Sequence, residues 1–256
     1  MTQPAWNKDQ LQDVHATSDK HRRVRDMFSA IASSYDLNNR LHSFGLDQTW
    51  RRKTVRLASI RPGDRVVDVA CGTGDLSVML AQELAKVSVG GSGTPVLGID
   101  YTFAMLPIAM KKPGNVVYVQ GDAMDLPLDD GSCDVLTIAF GLRNVQDAPR
   151  ALAEFRRVLR AGGRLLVLEF CEPTNPLVRW GNNLYTRRVM PWTATTVARD
   201  RSGAYHYLPK SVSSFYDQPR MLGALQTAGF GQTKAHPMTF GVCVCYTGVV
   251  EPSTVL

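Results

Sequence analysis

Residues 66–75 read VVDVACGTGD, and their reading decides the fold. Val66, Val67 and Val69 make an apolar run interrupted by one acid, Asp68, and the run leads into the turn Gly72-Thr73-Gly74. A run of this kind predicts a buried parallel strand. Leu76, Met79, Leu80, Leu84 and Val87 then recur at helical spacing. Strand, glycine turn and helix form the opening unit of a nucleotide-binding α/β sheet. Glycine lets the backbone approach a ligand closely, and the helix N-terminus presents unpaired N–H donors. Ligands of such sheets sit beyond the carboxyl ends of the strands, so the stretch locates a site before its chemistry is known.

Upstream, Arg61-Pro62-Gly63-Asp64 is a turn signal into the strand. A helix is predicted over Gln48 to Ile60, and Val24, Met27, Phe28, Ile31, Ala32 and Tyr35 follow one helical stripe. Residues 1–23 are predicted to be a loosely held, flexible arm.

Downstream, strands are predicted at Pro95 to Asp100, Val116 to Gln120, Cys133 to Phe140 and Arg164 to Phe170. They alternate with helices at Phe103 to Met110 and along Ala148, Ala151, Leu152, Phe155 and Leu159. Asp147 caps the second of these and Gly162-Gly163 stops it. The stretch Pro173 to Pro209 breaks the alternation: it is aromatic and Arg-rich, with a stripe Leu177, Trp180, Leu184, Tyr185. A helix over Arg220 to Ala228 follows, then strands Gln232 to Met238 and Val242 to Val249, separated only by Thr239 to Gly241. That connection is too short for a crossover, so the last pair must be antiparallel. The whole predicts one α/β domain over 24–256, with a doubly wound, mostly parallel sheet of seven strands ending in an antiparallel hairpin. Residues 24–60 supply N-terminal helices, 61–172 the core, 173–215 a helical lid, and 216–250 the last helix and hairpin.

A chain of 256 residues suits one large domain. Hydrophobic content of 44% and charged content of 20% exclude a disordered chain. The net charge of +6 is scattered and points only weakly to an anionic partner. Five cysteines without metal-ligand spacing, and no secretory signal, predict reduced thiols, no metal and a cytoplasmic location. No apolar stretch reaches the roughly 18–20 residues that cross a bilayer, so any membrane contact is expected to be peripheral, at the inner face.

The glycine turn alone does not choose the nucleotide. Ser77 stands where a dinucleotide fingerprint wants a third glycine. Asp100, closing the second strand, can accept two hydrogen bonds from a ribose diol, or it can cap the helix ahead of Thr102. Asp122, closing the third strand in Gly121-Asp122-Ala123-Met124, reads as a further ligand contact or as an Asx turn. Together these segments resemble the class I S-adenosylmethionine-dependent methyltransferases, which share a Rossmann-like sheet with an antiparallel seventh strand. The resemblance implies S-adenosyl-L-methionine as methyl donor, with Gly72, Thr73 and Gly74 against its methionine part, Asp100 on the ribose and Asp122-Ala123 at the adenine. Asp68 then either reaches the amino group or braces the loop.

FGLRNVQD, Phe140 to Asp147, puts Arg143 and Asn144 at the mouth of the fourth strand. The alternative is an Arg paired locally with Asp147 and an Asn in a turn. The stretch resembles the ubiquinone/menaquinone biosynthesis C-methyltransferases. So do MFSAIASSYDLNNRLHSFGLDQTWRR (Met27 to Arg52), LPLDDGSCD (Leu126 to Asp134), VLRAGGRLLVLEF (Val158 to Phe170) and AYHYLPKSV (Ala204 to Val212). Cys71 departs from a frequent glycine of the family, and Ala139 from a serine. The resemblance implies methylation of a ring carbon of a polyprenylated quinol: demethylmenaquinol, or alternatively a demethylated ubiquinol precursor or another lipid-like acceptor.

Such a carbon becomes nucleophilic when its neighbouring hydroxyl ionises, so positioning and an oxyanion donor are the needed aids. Arg143 is the expected electrostatic group, Asn144 the group orienting the hydroxyl, and Tyr205 and Tyr207 substrate contacts. His206 reads as an exposed lid residue rather than a base. The stripes Val24 to Tyr35 and Leu177 to Tyr185, flanked by Arg22, Arg23, Arg25 and by Arg179, Arg187, Arg188, read either as core packing or as membrane-surface helices. No nucleic-acid partner is expected, and a homodimer is left open.

Overall fold

The computed structural model describes residues 6, 14–15, 17–88, 90, 93–186 and 204–252, without the side chains of 204–206. Seven strands among them, β1 (Val66–Val69), β2 (Val96–Asp100), β3 (Val116–Gln120), β4 (Cys133–Ala139), β5 (Leu159–Phe170), β6 (Phe230–Met238) and β7 (Cys243–Val250), form one sheet in the order β3-β2-β1-β4-β5-β7-β6. β1 to β5 are parallel, and β7 alone runs against both of its neighbours, β5 and β6. The doubly wound sheet with an antiparallel end is therefore as expected.

Strand alternation assigns the two faces. Val67, Val69, Leu136, Ile138, Leu165, Val167, Val244 and Tyr246 pack into one layer with α6 (Ala148–Val158) and α9 (Gln218–Thr227). Val66, Val135, Leu166, Leu168, Cys243 and Cys245 face the other, with α3 (Leu46–Ala58) and α4 (Asp75–Val87). Both faces are apolar because both are covered, the usual condition of parallel strands. A third apolar cluster lies apart, built on α1 (Lys20–Ile31) and on Tyr207 from α8 (Ala204–Ser213).

Three expectations need correction. The arm is not loose at its described points: Trp6 is 3% exposed and Val14 is 1% exposed, and the Trp6 ring stacks on Tyr207 at 4.7 Å. The stripe to Tyr35 is not one helix either, because a 3-10 turn, Ala32–Ser34, separates α1 from α2 (Tyr35–His42). Finally, α6 ends at Val158, and Leu159 already pairs with Cys133 in the sheet. Gly162 (φ +74°) and Gly163 serve a register shift in β5, and a Cβ on Gly163 would lie 2.7 Å from the Arg160 carbonyl.

Candidate active site

Asp68 sits on the inner face of β1, directly opposite Thr137 of β4. Its carboxylate accepts from Thr137 Oγ1 at 2.7 Å and from Ser77 Oγ of α4 at 2.6 Å, and it is 1% exposed. Burial pushes this carboxyl up to about 6, with the two hydroxyls opposing. Asp68 is thus a brace across β1, β4 and α4. This also explains Ser77, which occupies the third-glycine position because Asp68 needs it.

Gly72 and Gly74 take φ of +57° and +83°, the left-handed region open to glycine. A Cβ at Gly74 would lie 2.3 Å from the Tyr118 hydroxyl, so the turn is packed as well as bent. The Gly72 N–H donates to Asp100 Oδ2 at 2.7 Å, and the Thr102 N–H donates to Asp100 Oδ1 at 2.7 Å. Asp100, 8% exposed and pushed upward by burial, therefore joins the first and second strand ends. Thr73 is placed otherwise than expected. Its hydroxyl donates outward to Asp36 of α2, in a cluster where Lys112 Nζ bridges Asp36 at 2.7 Å and Asp75.

Beyond these strand ends lies a pocket of about 100 Å³ lined by Gly72, Asp100, Asp122, Ala123 and Met124 below and by His21, Val24 and Phe28 of α1 above. Asp122 forms the Asx turn, accepting from the Met124 N–H at 2.9 Å, and still faces the pocket with Ala123. Among its described lining residues there is no Lys or Arg. Two acids without a Lys or Arg suit a cationic ligand with a ribose, and they would repel a pyrophosphate.

A second cavity, about 290 Å³ and mostly apolar, adjoins it. Phe28, Tyr35 and Phe140 line both, so these three rings form the partition. Phe140 has φ +58°, and its carbonyl accepts from Arg143 Nη1 at 2.7 Å and Asn144 Nδ2 at 3.0 Å. These bonds hold a residue in a backbone state that favours glycine.

Arg143 does not pair with Asp147, which instead caps α6 through the Arg150 N–H. Its partner is Glu169, at the end of β5, in an ion pair whose side chains are 6% and 1% exposed. The Asn144 side-chain oxygen accepts from the Tyr207 hydroxyl at 2.9 Å, and burial holds that phenol above its ordinary range. Arg143, Asn144 and Tyr207 are thus brought together, but each is engaged with protein. Tyr205 and His206 lie outside the described side chains, and Arg187 and Arg188 outside the described residues.

Four buried polar positions around the two cavities escaped sequence reading. Glu169 ends an apolar strand beside β4, and that adjacency was the available signal. Lys20, 2% exposed, donates from Nζ to the Val145 carbonyl at 2.6 Å, and burial pulls it down to about 8. Asn38 and Arg51 are 3% and 7% exposed and both line the apolar chamber. Arg51 shares the buried stripe of α3 with Asp47, Trp50, Thr54 and Val55, a spacing that was legible.

Comparison with known proteins bears on this geometry. Residues 16–250 match the model of the ubiE/COQ5 methyltransferase family. The ubiquinone/menaquinone biosynthesis C-methyltransferase UbiE of Saccharophagus degradans is 40% identical over 237 residues, covering 90% of this chain and 92% of that protein. The corresponding protein of Teredinibacter turnerae is 41% identical with the same coverage. Among solved structures, an S-adenosylmethionine-dependent methyltransferase of Thermotoga maritima superposes with a TM-score of 0.63 at 21% identity, covering 88% of this chain and 99% of that one. The last likeness concerns the fold alone.

Proposed function

The chain belongs to the ubiE/COQ5 methyltransferase family and is a methyltransferase; from that premise we propose that it methylates a ring carbon of a polyprenylated quinol, demethylmenaquinol first. The observation that carries this reading is the shared wall. An acid-lined pocket and a larger apolar chamber meet at Phe28, Tyr35 and Phe140, where a cationic donor and an apolar ring could come into contact.

S-adenosyl-L-methionine, when bound, supplies an electrophilic methyl group. The residues fit it: Asp100 for the ribose, Asp122 and Ala123 for the adenine, and the Gly72 turn for the methionine part. Asp100 is held by two backbone N–H groups and keeps free lone-pair capacity on each oxygen for a diol. Asp68 and Thr73 belong to the frame behind that pocket. Arg143 and Asn144 fix the Phe140 wall, and the Arg143 charge is largely cancelled by Glu169.

The same reading includes a membrane surface. Val24, Met27 and Ile31 of α1 are buried, which removes that stripe from consideration. Leu177, Trp180 and Leu184 of α7 (Pro176–Leu184) are exposed, at 76%, 66% and 45%. They stand beside Tyr185, whose hydroxyl donates to the His42 carbonyl at the edge of the chamber. A prenyl tail leaving the chamber there would enter lipid directly. Among the described residues no helix is long and apolar enough to cross a membrane.

The test is transfer of labelled methyl from S-adenosylmethionine to demethylmenaquinol and to a demethylated ubiquinol precursor, both kept reduced. Product with the naphthoquinol is expected. Product with neither sinks the proposal, and product with the benzoquinol alone moves it to the other headgroup.

A further inference from the structure

Arg51 is a buried cation with one unfilled donor. It projects from α3 into the wall of the apolar chamber at 7% exposure, and its Nε is buried without a hydrogen-bond partner. Its nearest acid, Asp47 one turn earlier, is 3.9 Å from Nε, too far for a hydrogen bond. Asp47 is itself occupied by the Ser43 hydroxyl at 2.9 Å and by Gln48 Nε2 at 2.9 Å. What stabilises the guanidinium is the Phe140 ring, 5.3 Å below it.

The second guanidinium of the chamber is its opposite. Arg143 lies over Phe170 at 5.4 Å, and the Phe140 and Phe170 rings pack at 4.6 Å. The two arginines thus bracket one aromatic pair, yet only Arg143 donates a hydrogen bond to a carboxylate, Arg51 having Asp47 at ion-pair distance without one. Leaving a buried guanidinium N–H without an acceptor is costly, and an oxygen of a bound ligand would supply one. Asn38, which also lines the chamber, has an unpartnered buried Oδ1 that could accept from a second hydroxyl.

Resting on the function proposed above, we propose that Arg51 is a catalytic residue that binds the acceptor's ring oxygen and stabilises its oxyanion during methyl transfer. The quinol O–H bond breaks, its electron pair remains on oxygen beside Arg51, and the proton leaves to water. That pair feeds the adjacent ring carbon, which forms the new bond to the methyl carbon. The donor's carbon–sulfur bond breaks with its pair on sulfur. The carbon then loses its hydrogen as a proton and the oxygen is reprotonated, so one proton is released per turnover.

The charged groups around Arg51 set its field. Asp47 lies on its own helix, and Asp68 of β1 and Asp75 of α4 are within electrostatic reach. Among the described residues, His42, Cys171, Glu172 and Arg143 complete the chamber's charged or titratable lining, together with Tyr35, Tyr185 and Tyr207. The acids temper the site's positive potential but accept no hydrogen bond from the guanidinium.

Arg51→Gln should lower kcat by about 100-fold or more, the usual effect of removing an oxyanion donor. Its residual rate should climb to higher pH than wild type, because the quinol must ionise unaided. Arg51→Lys should restore most of the rate and the wild-type pH profile. Affinity for S-adenosylhomocysteine, read by calorimetry, should be unchanged in both. An Arg51→Gln enzyme with wild-type kcat and pH profile overturns the inference, as does equal failure of the lysine variant with intact cofactor binding. One measurement needs no variant: a nitronaphthol, bound to the wild-type chamber, reports its ionisation by its phenolate absorbance. An apolar cavity alone raises its pKa; Arg51 should lower it, and a raised value overturns the proposal. Wild-type inactivity toward both quinols, with the naphthol still ionised on binding, would instead count against the substrate reading.

Discussion

The acid-lined pocket and the apolar chamber solve different problems with different materials. In the pocket, Asp100 is tied down by backbone N–H groups from two strand ends, so the main chain sets its geometry. In the chamber, side chains hold side chains: Glu169 takes Arg143, Asn144 takes Tyr207, and Phe140 underlies Arg51. A backbone-built site tolerates change around it. A side-chain-built site depends on each partner, and it can leave one group free for the substrate.

The contrast is open to attack at several points. Glu169→Gln should do the most harm, leaving the Arg143 charge buried and unmatched. We expect a loss of about 3–5 kcal/mol of stability in urea unfolding. A variant as stable as wild type would mean that the pair is dispensable. Asp100→Ala should come next. It strands two buried N–H groups and removes the ribose acceptor, weakening S-adenosylhomocysteine binding by about 100-fold in calorimetry, roughly 3 kcal/mol. Retained binding would show that the pocket does not depend on this carboxylate.

Asp68 gives a smaller, pH-dependent effect. Its folded carboxyl is raised to about 6 from an ordinary value of 3.8, so folding favours the protonated form. The contribution is fully present below the ordinary value and lost as pH rises through about 6. Wild type should therefore lose on the order of 2 kcal/mol relative to Asp68→Asn across that window. Parallel urea midpoints for the two proteins from pH 4 to pH 7 would contradict this. Trp180→Ser should change stability by less than about 0.5 kcal/mol while lowering co-sedimentation with anionic liposomes about tenfold. Unchanged sedimentation would remove α7 from the proposed membrane surface.

The same contrast explains what could be read from the sequence. Gly72, Asp100 and Asp122 close successive strands, and parallel strands bring their ends together, so local signals sufficed for the pocket. The antiparallel end was legible too, because Thr239 to Gly241 is too short for anything but a hairpin. The chamber required knowing which strands are neighbours. Arg143 and Glu169 are 26 positions apart and meet only because β4 lies beside β5. Arg51 was hidden in the basic run WRRK, where a solvated face is the ordinary reading. Its phase with Trp50, Thr54 and Val55 was the better guide. Trp6 gave no pattern at all, since one ring stacked on a distant helix leaves no periodicity.

The placement of β7 governs how the protein must come into being. It follows both β5 and β6 in the chain, yet it separates them in the sheet. While the chain is being synthesised, the edge of β5 stays bare until β7 emerges, and β6 has no neighbour to join. A ribosome-bound chain therefore presents an open, apolar sheet edge from the completion of β5 until β7 emerges, the kind of surface that draws chaperones or aggregates. The sheet is closed by insertion of β7 between two strands made before it, and a chain cut short before Cys243 would keep that edge permanently exposed.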